Sequence, residues 1–246
     1  KQMRSQMKTR TKILGALGCT FSLASVPASA EQIWSDFSLS YLYGEDYEVV
    51  DDTQKTVTVE HVSGHNWGDT FFFVDWQKSD DGDTSTYFEF SPRLSLGYVT
   101  GSDLSFGIVK DVYLAGTWES GAGFDNYLTG VGFSFDLPGF QYANANFYYA
   151  KNDNTDNDLM TTLTWGVPFT LGNSDFLYDG FIDWSSAESD HAAETNFTSQ
   201  LKWNAGKVIG TKSPFYVGIE YAYWNNKFGI KGVDERNPSI LVKWHF

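Results

Sequence analysis

Two stretches of this chain set carboxylates and aromatic rings on alternate residues. One carries Asp69, Phe71, Phe73 and Asp75; the other carries Tyr87, Glu89 and Arg93. Side chains alternate across a strand with period two, so each set shares one face. A carboxylate accepts hydrogen bonds from a pair of sugar hydroxyls. An aromatic face stacks on a flat heterocycle for roughly 1–3 kcal/mol per base. Asp111 with Tyr113 and Glu220 with Trp224 repeat the combination further along, and Asp179 and Asp183 add two more carboxylates on one face. Such a surface suits a nucleoside better than an ion or an oligosaccharide. The competing reading is that these charges pair with one another to fill an interior, while the rings mark interfacial girdles.

Other chemistry finds little support. The histidines His61, His65, His191 and His245 stand in no context that pairs a nucleophile with a base, so an enzyme is not expected. Asp80-Asp81-Gly82-Asp83 and the run Asp153 to Asp158 lack the spacing of an EF-hand loop and read as solvated acidic loops. No cofactor or metal is expected.

The elements that must position these residues are strands. Alternating segments recur from Asp36 onward, separated by turn chemistry, and twelve can be counted. The fourth is expected at Thr86–Tyr98 and the fifth at Asp103–Thr117, with a loop over Trp118–Asp125. In the last, Ser239–Phe246, the residues Ile240, Val242, Trp244 and Phe246 share one face. Ser239, Lys243 and His245 take the other, with Leu241 the apolar exception. Pro92 cannot donate to a ladder, so a bulge or local break is expected beside Arg93.

The first thirty residues read as a secretory signal peptide. Lys1, Arg4, Lys8, Arg10 and Lys12 precede an apolar run from Ile13 to Val26 and the small residues Ala28-Ser29-Ala30. Residues 31–246 would then form the mature domain, without cysteine, because Cys19 lies in the signal. Removing five basic residues and no acids takes the charge from −14 to −19. A chain this acidic repels nucleic acid. No apolar run is long enough to span a bilayer as a helix.

The acid runs fall after odd-numbered strands, and the connections after even-numbered strands are nearly free of acids. A soluble sandwich has no reason to segregate its loops in this way. Together these features predict an all-β fold, a 12-stranded antiparallel transmembrane β-barrel of outer-membrane type. Its acidic loops would lie outside, both chain ends at the periplasmic rim, and lipid against the apolar faces.

The run Phe88-Glu89-Phe90-Ser91-Pro92-Arg93-Leu94-Ser95, followed by Thr100-Gly101-Ser102-Asp103-Leu104-Ser105-Phe106-Gly107, resembles the nucleoside-specific channel-forming outer-membrane proteins of the Tsx type and their marine phage-receptor relatives. Weaker similarity covers Trp67–Asp75 and Phe181-Ile182-Asp183-Trp184. The resemblance implies a monomeric barrel that passes nucleosides by facilitated diffusion and serves in some members as a bacteriophage or colicin receptor. Glu89 and Arg93 carry over from the motif as pore-lining residues. The rival is a receptor, adhesin or structural barrel whose lumen is plugged by its own charges.

Overall fold

The computed structural model describes residues 30–246. Nearly all of the expected signal segment, Cys19 included, lies outside the described residues. In chain order the strands are β1 (Gln32–Gly44), β2 (Gln54–His65), β3 (Gly68–Ser79), β4 (Thr84–Ser95), β5 (Val109–Gly121) and β6 (Phe124–Phe135). They continue as β7 (Tyr142–Lys151), β8 (Asp158–Leu171), β9 (Ser174–Ser185), β10 (Glu194–Asn204), β11 (Phe215–Asn225) and β12 (Glu235–His245). Each pairs antiparallel with its sequence neighbours, and β12 closes on β1, giving a closed 12-stranded barrel. Closure leaves no free edge, as a sheet surrounded by hydrocarbon requires.

Alternation sets the two faces. On β12, Ile240 and Trp244 are exposed while Leu241 is fully buried and Ser239 and Lys243 nearly so. On β1, Phe37, Leu39 and Tyr41 point out, and Ser38, Ser40 and Leu42 point in. The outward rings cluster: Phe88 meets Trp118 edge-on at 5.1 Å, and Trp118 stacks against Tyr127 at 6.4 Å. Inside, Ala115, Leu128, Tyr148 and Ala150 form the small apolar packing of β5–β8, backed by Met160. That wall is uncharged over most of its height, and the ionic groups gather on the others.

The expected fifth strand starts too early. Ser95 Oγ accepts from the Tyr98 amide at 3.1 Å and caps a short helix, α1 (Leu96–Thr100), which Gly101 ends in the left-handed region at φ 66°. Gly107 then turns the chain at φ 56°, and β5 begins only at Val109. Leu96 and Tyr98 are therefore helical, while Leu104, Phe106 and Ile108 precede β5. The same shift extends β5 to Gly121 and turns most of the expected Trp118–Asp125 loop into strand. A second short helix, α2 (Gly206–Ile209), follows β10. Two connections at the rim carrying the chain ends are thus longer than the usual tight turn.

Pro92 breaks one ladder without a bulge. Pairing with β3 runs unbroken through Thr70↔Pro92, whereas pairing with β5 lapses at Ser91 and Pro92 and resumes in the same register at Arg93↔Ala115. Parity is preserved, and Arg93 faces inward with Tyr87 and Glu89.

At the acidic rim the connection between β9 and β10 is tied down by His191. Its Nδ1 lies 2.7 Å from Asp190 and its Nε2 3.2 Å from Asp158. Burial pulls the imidazole pKa down, but the bond to Asp190 and the charges of Asp158 and Asp190 outweigh it and leave it raised. A raised histidine stabilises below the ordinary value near 6.5, and that contribution is lost as pH climbs through the raised one. Amide exchange in residues 187–193, corrected for the intrinsic pH effect, is expected to quicken from pH 6 to pH 8. The His191→Gln chain is expected to show no such change; an equal response in both would remove His191 from this role.

Candidate functional site

The lumen holds two kinds of ionic group. Near the rim where the chain ends meet, cations are matched one to one with acids. Arg93 donates through Nε and Nη2 to Asp69 at 2.8 and 2.7 Å, with its guanidinium 4.5 Å from the Tyr113 ring. Lys202 donates to Asp179 at 2.6 Å and Lys243 to Glu60 at 2.7 Å. His245 Nδ1 lies 2.7 Å from Asp36. Arg93, Lys202 and Lys243 come from the ends of β4, β10 and β12, because the barrel brings those strand ends to one level.

Higher in the lumen the carboxylates are held by neutral partners. Asp75 accepts from Thr58 at 2.6 Å, Glu89 from Ser91 at 2.7 Å, and Asp183 from Thr162 at 2.6 Å. Glu119 accepts from Asn126 at 3.1 Å and Glu220 from Gln200 at 2.7 Å. Glu89 and Glu119 are register partners on β4 and β5. Rings accompany them: Phe71 lies 5.8 Å from Phe73, Phe73 5.6 Å from Tyr87, and Tyr87 6.4 Å from Phe124. Tyr87 Oη reaches Glu89 at 3.4 Å.

At the opposite rim Lys227 folds inward. It pairs with Glu235 and lies over the rings of Trp224 at 4.9 Å, Phe228 at 5.2 Å and Tyr47 at 5.7 Å. Trp224 donates to Glu194 at 3.2 Å, which also accepts from the Gly229 amide at 3.0 Å.

The residues singled out in the sequence therefore divide into groups. Phe71, Phe73, Asp75, Tyr87, Glu89, Asp183 and Glu220 share the ring-and-carboxylate region. Asp69, Arg93, Tyr113 and Asp179 belong to the ion-paired level below it, and Trp224 to the mouth above. Asp111 stands apart. A register shift precedes it, its carboxylate accepts from the Val112 amide at 2.8 Å, and it lines a cleft with Ser95, Gly97 and Lys110 beside α1. Sequence reasoning missed Glu119, which it left in a loop, and Glu60 on β2. Continuing the parity of Tyr113 by three more pairs of residues would have found Glu119.

A closed barrel with aromatic girdles outside and a polar, charged interior is an outer-membrane barrel of the channel type. A family model described as "Nucleoside-specific channel-forming protein, Tsx" matches residues 30–240, and the chain belongs to that family. It is 28% identical over 159 residues to outer membrane protein OmpK of Vibrio parahaemolyticus, covering 62% of this chain and 59% of the relative. To the nucleoside-specific channel-forming protein Tsx of Klebsiella pneumoniae it is 28% identical over 157 residues, 56% of this chain and 52% of the relative. The chain thus matches a little over half the length of these curated relatives. Among solved structures it resembles a KdgM porin at 8% identity and a NanC porin at 12%. Both give a TM-score of 0.50 and cover 86% of this chain and 99% of theirs. These likenesses show the fold. The protein resides in the outer membrane, and its family and fold are those of channel porins rather than enzymes.

Proposed function

We propose that the barrel passes nucleosides across the outer membrane by facilitated diffusion. The observation that carries this reading is the run of rings Phe71, Phe73, Tyr87 and Phe124 beside the Glu89 carboxylate. Rings supply a sequence-tolerant stacking face for a base, and the carboxylate accepts from the ribose hydroxyls. Each contact is modest, as conduction demands: a solute must bind well enough to enter and weakly enough to leave. The relatives named Tsx bear the same function in their name. Single-channel current in planar bilayers tests the reading. Adenosine and thymidine are expected to interrupt the ionic current in a concentration-dependent way, and an open pore indifferent to both sinks it.

The paired cations near the periplasmic rim favour a second reading, a receptor barrel with a charge-plugged lumen. Absence of any conductance from correctly folded protein would select it. A bacteriophage receptor role at the acidic loops is part of either reading, tested by phage adsorption to cells lacking the protein. The monomeric state is proposed from the resemblance to the family alone.

A further inference from the structure

The connection between β11 and β12 carries a lysine that points back into the barrel instead of out to solvent. Lys227 is only 5% exposed, and its ammonium sits among Glu235 and the rings of Tyr47, Trp224 and Phe228. Trp224 and Glu235 are register partners at the ends of β11 and β12, so they mark the level of the mouth. Tyr47 reaches the same point from the connection after β1. On its other side the segment is tied to the connection before β10. Asn226 Nδ2 donates to the Ala193 carbonyl at 2.8 Å, and the Ala192 amide donates to the Gly229 carbonyl at 2.9 Å. Three connections of the acidic rim thus meet around one buried ammonium.

The meeting has the character of a latch. Phe228 holds φ 58°, a left-handed backbone that a bulky residue adopts only where its surroundings impose it, and Asn226 beside it holds φ 48°. Phe228 is itself exposed, so burial of its ring does not offset that strain. An ammonium held by a carboxylate and by aromatic faces is attracted by both, and this contact keeps the strained segment down. Little else has to break for it to lift. Tyr47 approaches across the seam where pairing of β12 with β1 has already stopped at Ser239↔Gly44, while pairing of β12 with β11 runs on to Glu235. Beyond that stop the Glu48 amide donates to Glu235 at 2.8 Å and the Asp46 amide to Asn237 at 3.2 Å. We propose that residues 226–234 form a gate over the acidic mouth of the pore, held shut by the Lys227 ammonium in its cage of Tyr47, Trp224, Phe228 and Glu235. The inference goes beyond the nucleoside reading, because it sets when the pore is open, whatever passes through it.

The test is single-channel current through the purified chain in planar bilayers, in potassium chloride with no nucleoside present. The wild-type current is expected to rest at a low level with brief steps to a higher one. The Lys227→Ala chain should hold the higher level, about twofold above the resting one. Propylammonium, the part of the lysine side chain that this substitution removes, probes the cage. At matched ionic strength it should return Lys227→Ala toward the low level, and it should leave the current high when Glu235→Gln is added. Equal levels in wild type and Lys227→Ala overturn the proposal. So does a raised level that propylammonium does not lower, because loss of one charge at the mouth would explain it. A silent wild type beside a conducting Lys227→Ala chain keeps the gate, and silence of both defeats it. If Lys227→Ala does not fold to the heat-modifiable barrel, Glu235→Gln, which keeps an acceptor for the Glu48 amide, must raise the resting level by itself or the proposal fails. A gate that fails here leaves the nucleoside reading standing, and a pore that ignores adenosine leaves the gate standing.

Discussion

Lys202→Ala is expected to destabilise the barrel by about 3–5 kcal/mol, the usual cost of removing one partner from a buried ion pair. Lys202 is 1% exposed, and its ammonium is the only cation bonded to Asp179 among the described residues. Asp179 Oδ1 already lacks a hydrogen-bond partner, so the substitution would leave the whole carboxylate uncompensated in a poorly hydrated wall. An opposing effect exists. Lys243 on β12 stands on the same face with only β11 between it and Lys202 on β10, so losing one of two like charges relieves some repulsion. The desolvated carboxylate should win, because the Lys202–Asp179 contact is direct at 2.6 Å and each lysine has its own acid. Urea-induced unfolding in phospholipid vesicles measures the loss. The double change Lys202→Met with Asp179→Leu should recover most of it, since an apolar pair needs no desolvation. A loss under about 1 kcal/mol for Lys202→Ala would mean that water reaches the pair and that it behaves as a surface salt bridge.

The second large effect concerns solute binding. Tyr87→Ala is expected to raise the half-blocking concentration of adenosine about tenfold, which corresponds to about 1.4 kcal/mol and lies within the range for one stacked base. The ring stands between Phe73 and Phe124 and carries the hydroxyl that reaches Glu89, so its removal opens the stacking run at its middle. Tyr87→Phe separates the two contributions. It keeps the stacking face and loses only a long 3.4 Å contact, so its effect should stay below about threefold. Bilayer current block reads both variants. Equal losses in Ala and Phe would shift the weight from the ring to the hydroxyl, and no loss in either would remove Tyr87 from the site.

Much of this architecture could be read from alternation. β11 and β12 show it most clearly, because lipid on one side and a polar lumen on the other leave little tolerance for the wrong residue type. The fifth strand was harder. Asp103-Leu104-Ser105-Phe106 alternates as a strand should, but the cap at Ser95 and the left-handed Gly101 had already committed the preceding chain to a helix, and the left-handed Gly107 turns the chain directly after it. Those signals were local and visible, and they outrank alternation in so short a run. The pairing of charges was of another kind. Lys243 meets Glu60 across a separation of 183 residues, through the closure of β12 on β1 and the next strand beyond. Parity puts a side chain in the lumen. Which acid it meets depends on strand tilt and register around the whole circle, and no short-range pattern carries that information.

The lapse at Pro92 has a mechanical meaning. Between Phe90↔Trp118 and Arg93↔Ala115 the staves β4 and β5 are not laced by backbone pairs; Ser91 Oγ and Thr117 Oγ1, 3.0 Å apart on the lumen face, span the gap instead. The same Ser91 hydroxyl also orients Glu89. Wall stiffness and the position of a carboxylate therefore depend on one small side chain. Replacing Ser91 is expected to loosen the seam and to free Glu89 together. The gap in the β4–β5 ladder falls beside the run of rings and carboxylates.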